Sequence, residues 1–166
     1  MNKGFTLLEI IIYIALLSLI TLLVSSVVIY FTNANAQSKG DREVLESARR
    51  ALEEMTYEII SAKSVYTPTS TQNQLSLETS KYAPTGETVS YIDFYLCDTR
   101  ICLKKEGQTP IYITGDTTEI SSLTFNQIST NGAISVKINL AMKHSNTTNG
   151  VQPSVNFTST VALRNN

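Results

Sequence analysis

The sequence predicts an α+β protein, in which a long N-terminal helix is packed on an antiparallel β-sheet. One observation is an apolar segment, Phe5–Phe31, that is long enough to cross a bilayer as a helix. A second is a stripe of apolar residues at helical spacing, which follows directly and reaches Tyr66. A third is a series of segments after residue 67 in which apolar and polar residues alternate between turn residues, as in antiparallel strands.

The apolar segment is predicted to span a membrane. Phe5–Phe31 holds about 27 residues, or roughly 40 Å of helix at 1.5 Å per residue. This length exceeds the ~30 Å hydrocarbon core, so the helix can cross with some tilt. Small polar residues within it permit close approach of a neighbouring helix. These residues are Ser18, Thr21, Ser25 and Ser26.

An ordinary secretory signal is the competing interpretation of this segment. Ala34-Asn35-Ala36 fits an A-x-A cleavage site. However, the apolar part of a signal peptide runs only about 7–15 residues, and this one is nearly twice as long. We therefore expect no cut at residue 36.

Glu9 is the only carboxylate residue within Phe5–Phe31. A carboxylate at the centre of a membrane helix costs about 2.5–3.5 kcal/mol on insertion scales, so it is interpreted first as functional. The alternative is a side chain that reaches the membrane edge and has no function.

The residues around Glu9 explain what that function is. Lys3-Gly4-Phe5-Thr6-Leu7-Leu8-Glu9 resembles the cleavage and methylation signature of type IV prepilins and of the pseudopilins of type II secretion systems. The resemblance covers about the first 35 residues. It implies that a prepilin peptidase cuts after Gly4 and N-methylates Phe5, and that Glu9 acts in filament assembly.

A cut after Gly4 would give Phe5 a free amine that is cationic at neutral pH. Residues 5 and 9 lie on the same face of a helix, because they are four positions apart. A neutralising contact can form within one chain. It can also form between the amine of an incoming subunit and Glu9 of a neighbour already in a filament.

Residues 37–66 are predicted to form an amphipathic helix. The junction Lys39-Gly40-Asp41 is expected to bend or interrupt the helix. Charged residues, Glu58 among them, occupy the remaining faces, and Glu46 and Arg50 form a supporting pair. The apolar stripe can pack on a sheet of the same chain or seed a coiled coil. Its members are Leu45, Ala48, Leu52, Met55, Ile59, Ala62 and Tyr66.

The rest of the chain is predicted to be β-rich. Apolar residues alternate clearly over 134–143 and again over 155–163. A polar loop, His144–Pro153, separates these two strands. Shorter strands are predicted at Gln74–Glu78, Val89–Cys97, Ile101–Lys105, Ile111–Thr114 and Leu123–Ile128.

Cys97 and Cys102 are the only cysteines. Placed opposite each other, they close a four-residue loop and bring Leu96 opposite Leu103 on the core face. A disulfide there would contribute about 2 kcal/mol, and a domain exported beyond the membrane meets an oxidising space. Two free thiols are the alternative. A zinc site is not expected, because it needs four ligands and further Cys or His residues are absent nearby.

Catalysis finds no support in the sequence. The sole histidine, His144, lies in a polar loop, where a solvated side chain is expected. The sequence contains no phosphate-binding loop or nucleophile elbow. We expect no enzyme activity, no cofactor and no resident metal. Asp116–Glu119 leaves calcium binding open, although it lacks the spacing of a dedicated loop.

The charge balance argues against nucleic acid as a partner. The chain carries 13 basic and 14 acidic residues, and loss of Lys3 with the leader would leave it slightly more acidic. It therefore has no polybasic field that would attract nucleic acid or anionic lipid over a distance.

These observations lead to a filament subunit with a leader at 1–4, an assembly helix at 5–36, the amphipathic half at 37–66 and a β-rich domain at 67–166. Many major pilins have a proline in the apolar half, and here the first is Pro68, which favours a minor pilin or pseudopilin. Val161–Arg164 and the helix stripe are similar to J-type and W-type minor subunits. A tip adhesin or DNA-uptake subunit is the alternative, and a bitopic membrane protein that is never processed is a third.

The resemblance also implies partners and a location. The partners are prepilin peptidase, other pilin or pseudopilin subunits, a membrane assembly platform and, before assembly, membrane lipid. The chain would cross the cytoplasmic membrane once, with its C-terminal domain outside the cytoplasm, and then enter an extracytoplasmic filament.

Overall fold

The computed structural model describes residues 6–130, 132–147 and 150–164. The chain divides into two compact units, Met1–Ser38 and Lys39–Asn166. Within the described residues, one helix, α1 (Leu7–Ser61), precedes eight strands. The predicted α+β class, a long N-terminal helix with antiparallel β-structure, is confirmed.

In the first unit, the described residues from Leu7 onward are helical, and the large apolar side chains between Leu7 and Phe31 are exposed. None of the 18 residues in its most apolar window is buried, and the helix is long and apolar enough to span a bilayer. The hydroxyls of Ser18, Thr21, Ser25 and Ser26 each donate to a carbonyl three or four residues earlier, at 2.8 Å. These side chains therefore satisfy their own donors and place no unpaired polar hydrogen toward lipid.

In the second unit, the helix ends five residues earlier than the apolar stripe. The stripe reaches Tyr66, whereas α1 ends at Ser61. Ser64 and Val65 form strand β1 and pair with Glu78 and Leu77. Residues beyond Ser61 leave the helix because their backbone groups are used in this sheet.

The junction around Gly40 is helical, so of the two predicted alternatives, a bend or an interruption, the interruption is wrong. The helix α1 continues through Lys39, Gly40 and Asp41 without a break. Gly40 is buried, and a Cβ atom placed there would lie 3.1 Å from Cγ of Pro153. The glycine permits the close approach of Pro153 and His144 to the helix, and a larger side chain would push them away.

The strands form two sheets, where the sequence predicted one. The five-stranded sheet has its strands in sequence order: β1 (Ser64–Val65), β2 (Gln74–Thr79), β3 (Ser90–Cys97), β4 (Arg100–Lys105) and β5 (Ile111–Tyr112). The three-stranded sheet is also in sequence order: β6 (Thr118–Thr130), β7 (Ala133–His144) and β8 (Ser154–Ala162). All neighbouring strands are antiparallel.

Among the described residues, two backbone hydrogen bonds connect β6 to loops of the five-stranded sheet. The amide of Phe125 donates to the carbonyl of Gln72, and that of Ile120 donates to the carbonyl of Thr99, both at 2.8 Å. The register of β6 against β7 shifts between Ile120 and Ser122, which marks an irregularity in β6.

The core lies between the second half of α1 and the inner faces of both sheets. Four members of the predicted stripe, Ala48, Met55, Ile59 and Ala62, are buried there. Val44 and Ala51 are buried with them, while Leu45 and Leu52 are only half-buried. The sheets contribute large side chains, which include Leu75, Leu77, Ile92, Phe94, Ile101, Leu103, Ile138, Leu140 and Met142.

Glu58 was predicted on the polar face of the helix, and it is buried instead, with 1% of its surface exposed. Its Oε1 atom accepts a hydrogen bond from the Tyr82 hydroxyl at 2.7 Å and lies 3.3 Å from Nζ of Lys81. Lys81 also lies over the ring of Tyr57, 4.0 Å from its centroid. Burial lowers the pKa of Lys81, but its contacts with Tyr82, Tyr57 and Glu58 outweigh this and raise it above its ordinary value.

Lys81→Met should destabilise the domain by about 2 kcal/mol. The substitution leaves the buried carboxylate of Glu58 without its cation. Breaking a fully buried ion pair in this way costs about 3–5 kcal/mol, and the cost is lower here because Lys81 is partly solvated. Because the pKa of Lys81 is raised, its contribution should be complete below about pH 10 and lost only as pH rises further. Urea unfolding, followed by tyrosine fluorescence, measures the change.

Lys104→Met is the matched control, because Lys104 is exposed on β4. It should change the free energy of unfolding by less than about 0.5 kcal/mol. Equal effects of the two substitutions would contradict the proposed role of Lys81.

The β3–β4 hairpin has a different register from the predicted one. Cys97 lies opposite Arg100, not Cys102, and Leu96 lies opposite Ile101, not Leu103. The connection is thus a two-residue turn, in which Asp98 has a φ of 54°. Leu96 is 43% exposed and does not join the core.

A disulfide nevertheless joins Cys97 and Cys102, with their Cα atoms 5.7 Å apart. Replacing both cysteines with serine should cost about 2 kcal/mol, because the bond closes a short loop in the unfolded chain. Non-reducing peptide mapping of the exported protein should recover the two cysteine peptides linked. Two free thiols after export, or unchanged stability in the double variant, would contradict this prediction.

Candidate assembly site

The candidate site is the N-terminal end of α1. Gly4 and Phe5, the predicted cleavage and methylation residues, lie outside the described residues. The description begins at Thr6, whose carbonyl accepts from the amides of Glu9 at 3.1 Å and Ile10 at 3.3 Å. The Thr6 hydroxyl also accepts from the Glu9 amide at 3.3 Å.

Thr6 therefore caps the helix, a role that the sequence reasoning missed. A threonine at this position satisfies amide groups that have no partner within the helix. The signal was present as Thr6-x-x-Glu9, the sequence pattern of a capping box. The cap fixes the start of α1 and so places Glu9 in the first helical turn.

The carboxylate of Glu9 lies at the end of the helix that favours negative charge. Aligned peptide dipoles give a helix N-terminus a partial positive charge, which stabilises an acidic residue in the first turn. Oε1 of Glu9 lies 3.5 Å from the hydroxyl of Tyr13, one turn later, in a long hydrogen bond. Tyr13 is a second residue that the sequence reasoning missed, although its i, i+4 spacing from Glu9 could have indicated it.

No cationic side chain of the first unit is available to Glu9 after the leader. Between Lys3 and Lys39 the sequence contains no Lys, Arg or His. The side chains of the first unit beyond the leader therefore supply no full positive charge to this carboxylate. A new amine at Phe5 would supply such a charge at the correct helical spacing.

His144 was expected to be solvated, and this expectation is wrong. Its side chain is 13% exposed, and its Nε2 atom lies 3.2 Å from Oε2 of Glu43. Nδ1 lies 3.0 Å from the amide nitrogen and 3.1 Å from the carbonyl oxygen of Asn146, so both ring nitrogens have polar partners. His144 thus ties the end of β7 to the helix near Gly40 and has a structural role.

The acidic segment Asp116–Glu119 has local partners. Glu119 lies 3.3 Å from Nζ of Lys143, and the Thr118 hydroxyl lies 3.2 Å from that of Ser47. Among the residues that the structure describes, no group of three or more His, Cys, Asp or Glu residues is arranged to hold a metal ion.

Residues 1–25 match the family model of the prokaryotic N-terminal methylation motif, the signature of type IV pilins and pseudopilins. The prepilin resemblance of the N-terminal residues is thereby confirmed. Neither a curated protein nor a solved structure matches the chain. Together with the long apolar helix, the motif fits a membrane-anchored, single-pass protein that is processed by prepilin peptidase and assembles with other pilins.

Proposed function

We propose that this chain is a structural subunit, a minor pilin or minor pseudopilin, of a type IV pilus or a type II secretion-like filament. One observation carries the proposal: the methylation motif matches residues 1–25, and from Leu7 onward this segment is a helix whose large apolar side chains are exposed. Such a helix must lie in lipid or against other apolar helices. These are the two environments of a subunit that is stored in a membrane and then assembled.

Processing would convert the stored form into the assembly form. Prepilin peptidase would remove the leader, residues 1–4, and methylate Phe5. The helix at 5–36 would then anchor the chain and later join the bundle of other subunits, guided by the membrane assembly platform. Residues 37–66 and 67–166 would form the part outside the membrane.

Two features support an orientation with the C-terminal domain outside the cytoplasm. Lys3 precedes the apolar segment, and basic residues favour the cytoplasmic side. The Cys97–Cys102 bond lies in the second unit, and disulfides persist in oxidising spaces. Both features support the proposed anchor in the cytoplasmic membrane, with the β-rich domain beyond it.

A minor role is supported by the helix itself. No proline precedes Pro68, so the helix-breaking residue of many major pilins has no counterpart here. A J-type or W-type subunit is the specific form that we propose, because of the Val161–Arg164 ending and the second-half helix stripe.

Mass spectrometry of sheared filaments from the host tests the function. The chain should be present in the filament fraction and should begin at an N-methylated Phe5. In a strain without prepilin peptidase, it should keep Met1 and stay in the membrane. A chain that begins at Gln37, or that keeps Met1 in the wild-type strain, would overturn the proposal.

A further inference from the structure

Two open cavities in the second unit flank the segment Ser70–Gln74. Their volumes are about 360 Å³ and about 500 Å³. Thr71 lines both, so a ligand that follows this segment could occupy the two together. Cavities of several hundred Å³ are in the size range of small-molecule sites.

The cavities have an uncharged lining. None of the described residues that line either one is Asp, Glu, Lys, Arg or His. Elsewhere in this unit charge is abundant, because all of the charged residues of the chain except Lys3 and Glu9 lie in residues 39–166. The lining therefore offers a charged ligand no counter-ion.

The first cavity combines an apolar floor with a polar rim. Its floor includes the buried side chains of Leu75, Phe125 and Val136. Gln72 and Gln127 stand exposed at the rim. Within the described residues, the side-chain amides of these two glutamines make no hydrogen bond, so their donors and acceptors are available to a ligand.

The second cavity offers an aromatic surface. Tyr95 is half-buried and Leu96 is 43% exposed at its wall. Within the described part of the chain, the Tyr95 hydroxyl and the side-chain amide of Asn73 make no hydrogen bond. A flat apolar group of a ligand could pack on the ring while its polar groups bind the hydroxyl and the amide.

We propose that the two cavities bind an uncharged oligosaccharide. A charged group would lose its hydration without gaining a partner here, which is unfavourable. Sugar hydroxyls both donate and accept, as do the amides and hydroxyls of the rim, and the C–H face of a sugar ring can pack on Tyr95 or on the apolar floor. This binding role goes beyond the proposed filament role and does not depend on it.

An uncharged peptide strand fits the site less well. A strand added to β6 at this point would need the amide of Phe125, which already donates to the carbonyl of Gln72 at 2.8 Å. At the floor of the first cavity, the backbone donor that such a peptide would need is therefore already used.

Saturation-transfer NMR on the full chain in lipid nanodiscs, which carry no sugar detergent, tests the proposal. The probes are cellohexaose, maltohexaose, chitohexaose and mannohexaose, with a hexagalacturonate as the acidic comparison and a capped Ser/Thr/Gln hexapeptide as the peptide comparison. At least one neutral hexasaccharide should bind. Its dissociation constant should not change between about 50 and about 500 mM NaCl, because no ion pair is formed.

Substitutions locate the site. Gln127→Ala and Gln72→Ala should each weaken binding about fivefold, the effect of one lost hydrogen bond. Both residues are exposed, so the fold should be unaffected. Gln108→Ala, which removes an exposed amide outside both cavities, should leave the affinity unchanged.

Four results would overturn the proposal. They are the absence of binding by every neutral hexasaccharide, tighter and salt-dependent binding of the hexagalacturonate, binding of the hexapeptide alone, and equal affinities of the Gln127→Ala, Gln72→Ala and Gln108→Ala variants. None of these results bears on whether the chain enters filaments.

Discussion

Replacing Glu9 with leucine should exclude most of the chain from filaments while it remains in the membrane. The first unit offers this carboxylate no cationic side chain after the leader. We expect the carboxylate of Glu9 to form an ion pair with the N-terminal amine of Phe5 of an incoming subunit. Without it, that amine would enter a low-dielectric helix bundle unpaired, at a cost of several kcal/mol.

Folding of the β-rich domain should not change. Glu9 belongs to the first unit, whereas the core is formed by residues from Val44 onward. The free energy of unfolding should therefore stay within about 0.5 kcal/mol of the wild type. Membrane insertion should become easier, because the substitution removes the only carboxylate of the apolar segment.

The measurement is the ratio of chain in sheared filaments to chain in membranes, at equal expression. Ile10→Leu is the matched control, because it changes an exposed apolar neighbour without removing charge. Glu9→Gln separates charge from hydrogen bonding and should fail to assemble as Glu9→Leu does. Wild-type incorporation of Glu9→Leu would show that the proposed assembly mechanism is wrong.

Gly4→Val should abolish processing. The resemblance to type IV prepilins implies a peptidase cut after this glycine, and a branched side chain would occupy space that the glycine leaves free for the enzyme. The chain should keep Met1, carry no methylated Phe5 and be absent from filaments, although its helix is unchanged. Gly4→Ala should be processed slowly.

Intact-mass measurement of membrane fractions over time distinguishes these outcomes. Because Gly4→Val alters the leader alone and Glu9→Leu alters the mature helix, the two substitutions should fail at different stages. Gly4→Val should accumulate unprocessed chain, whereas Glu9→Leu should accumulate mature chain. Wild-type processing of Gly4→Val would contradict the assignment of the cut.

Local patterns were sufficient to predict most of the elements. Strand β7 follows directly from the alternation of residues 134–143, and its observed bounds, Ala133–His144, differ by one residue at each end. The Glu46–Arg50 ion pair was also predicted from i, i+4 spacing and is present. In each case the signal and its consequence lie within a few residues of each other.

Distant partners could not be predicted in the same way. The burial of Glu58 depends on Lys81 and Tyr82, which lie 23 and 24 residues further along the chain. The predicted β3–β4 register differs from the observed one by two residues. A shift of two residues keeps every side chain on the same face of the sheet. Alternation alone therefore cannot distinguish the two registers.

The candidate site was predicted from its chemistry rather than from its geometry. Glu9 was singled out because a carboxylate in an apolar segment is costly, and it lies in the first turn of α1. The Thr6 cap and the Tyr13 contact were not predicted, because they depend on local hydrogen bonds and not on charge. The roles of Gly4 and Phe5 stay predictions.

The unbroken apolar surface of the first unit has a consequence for how subunits find their positions. A helix that exposes apolar side chains on every side can pack against its neighbours at many rotations and many depths, because these arrangements have similar free energies. Such packing holds the helices together but does not define a single relative position. If assembly follows the proposed route, the carboxylate of Glu9 would define that position. Its ion pair with the amine of Phe5 would fix the axial rise and the rotation of each incoming helix.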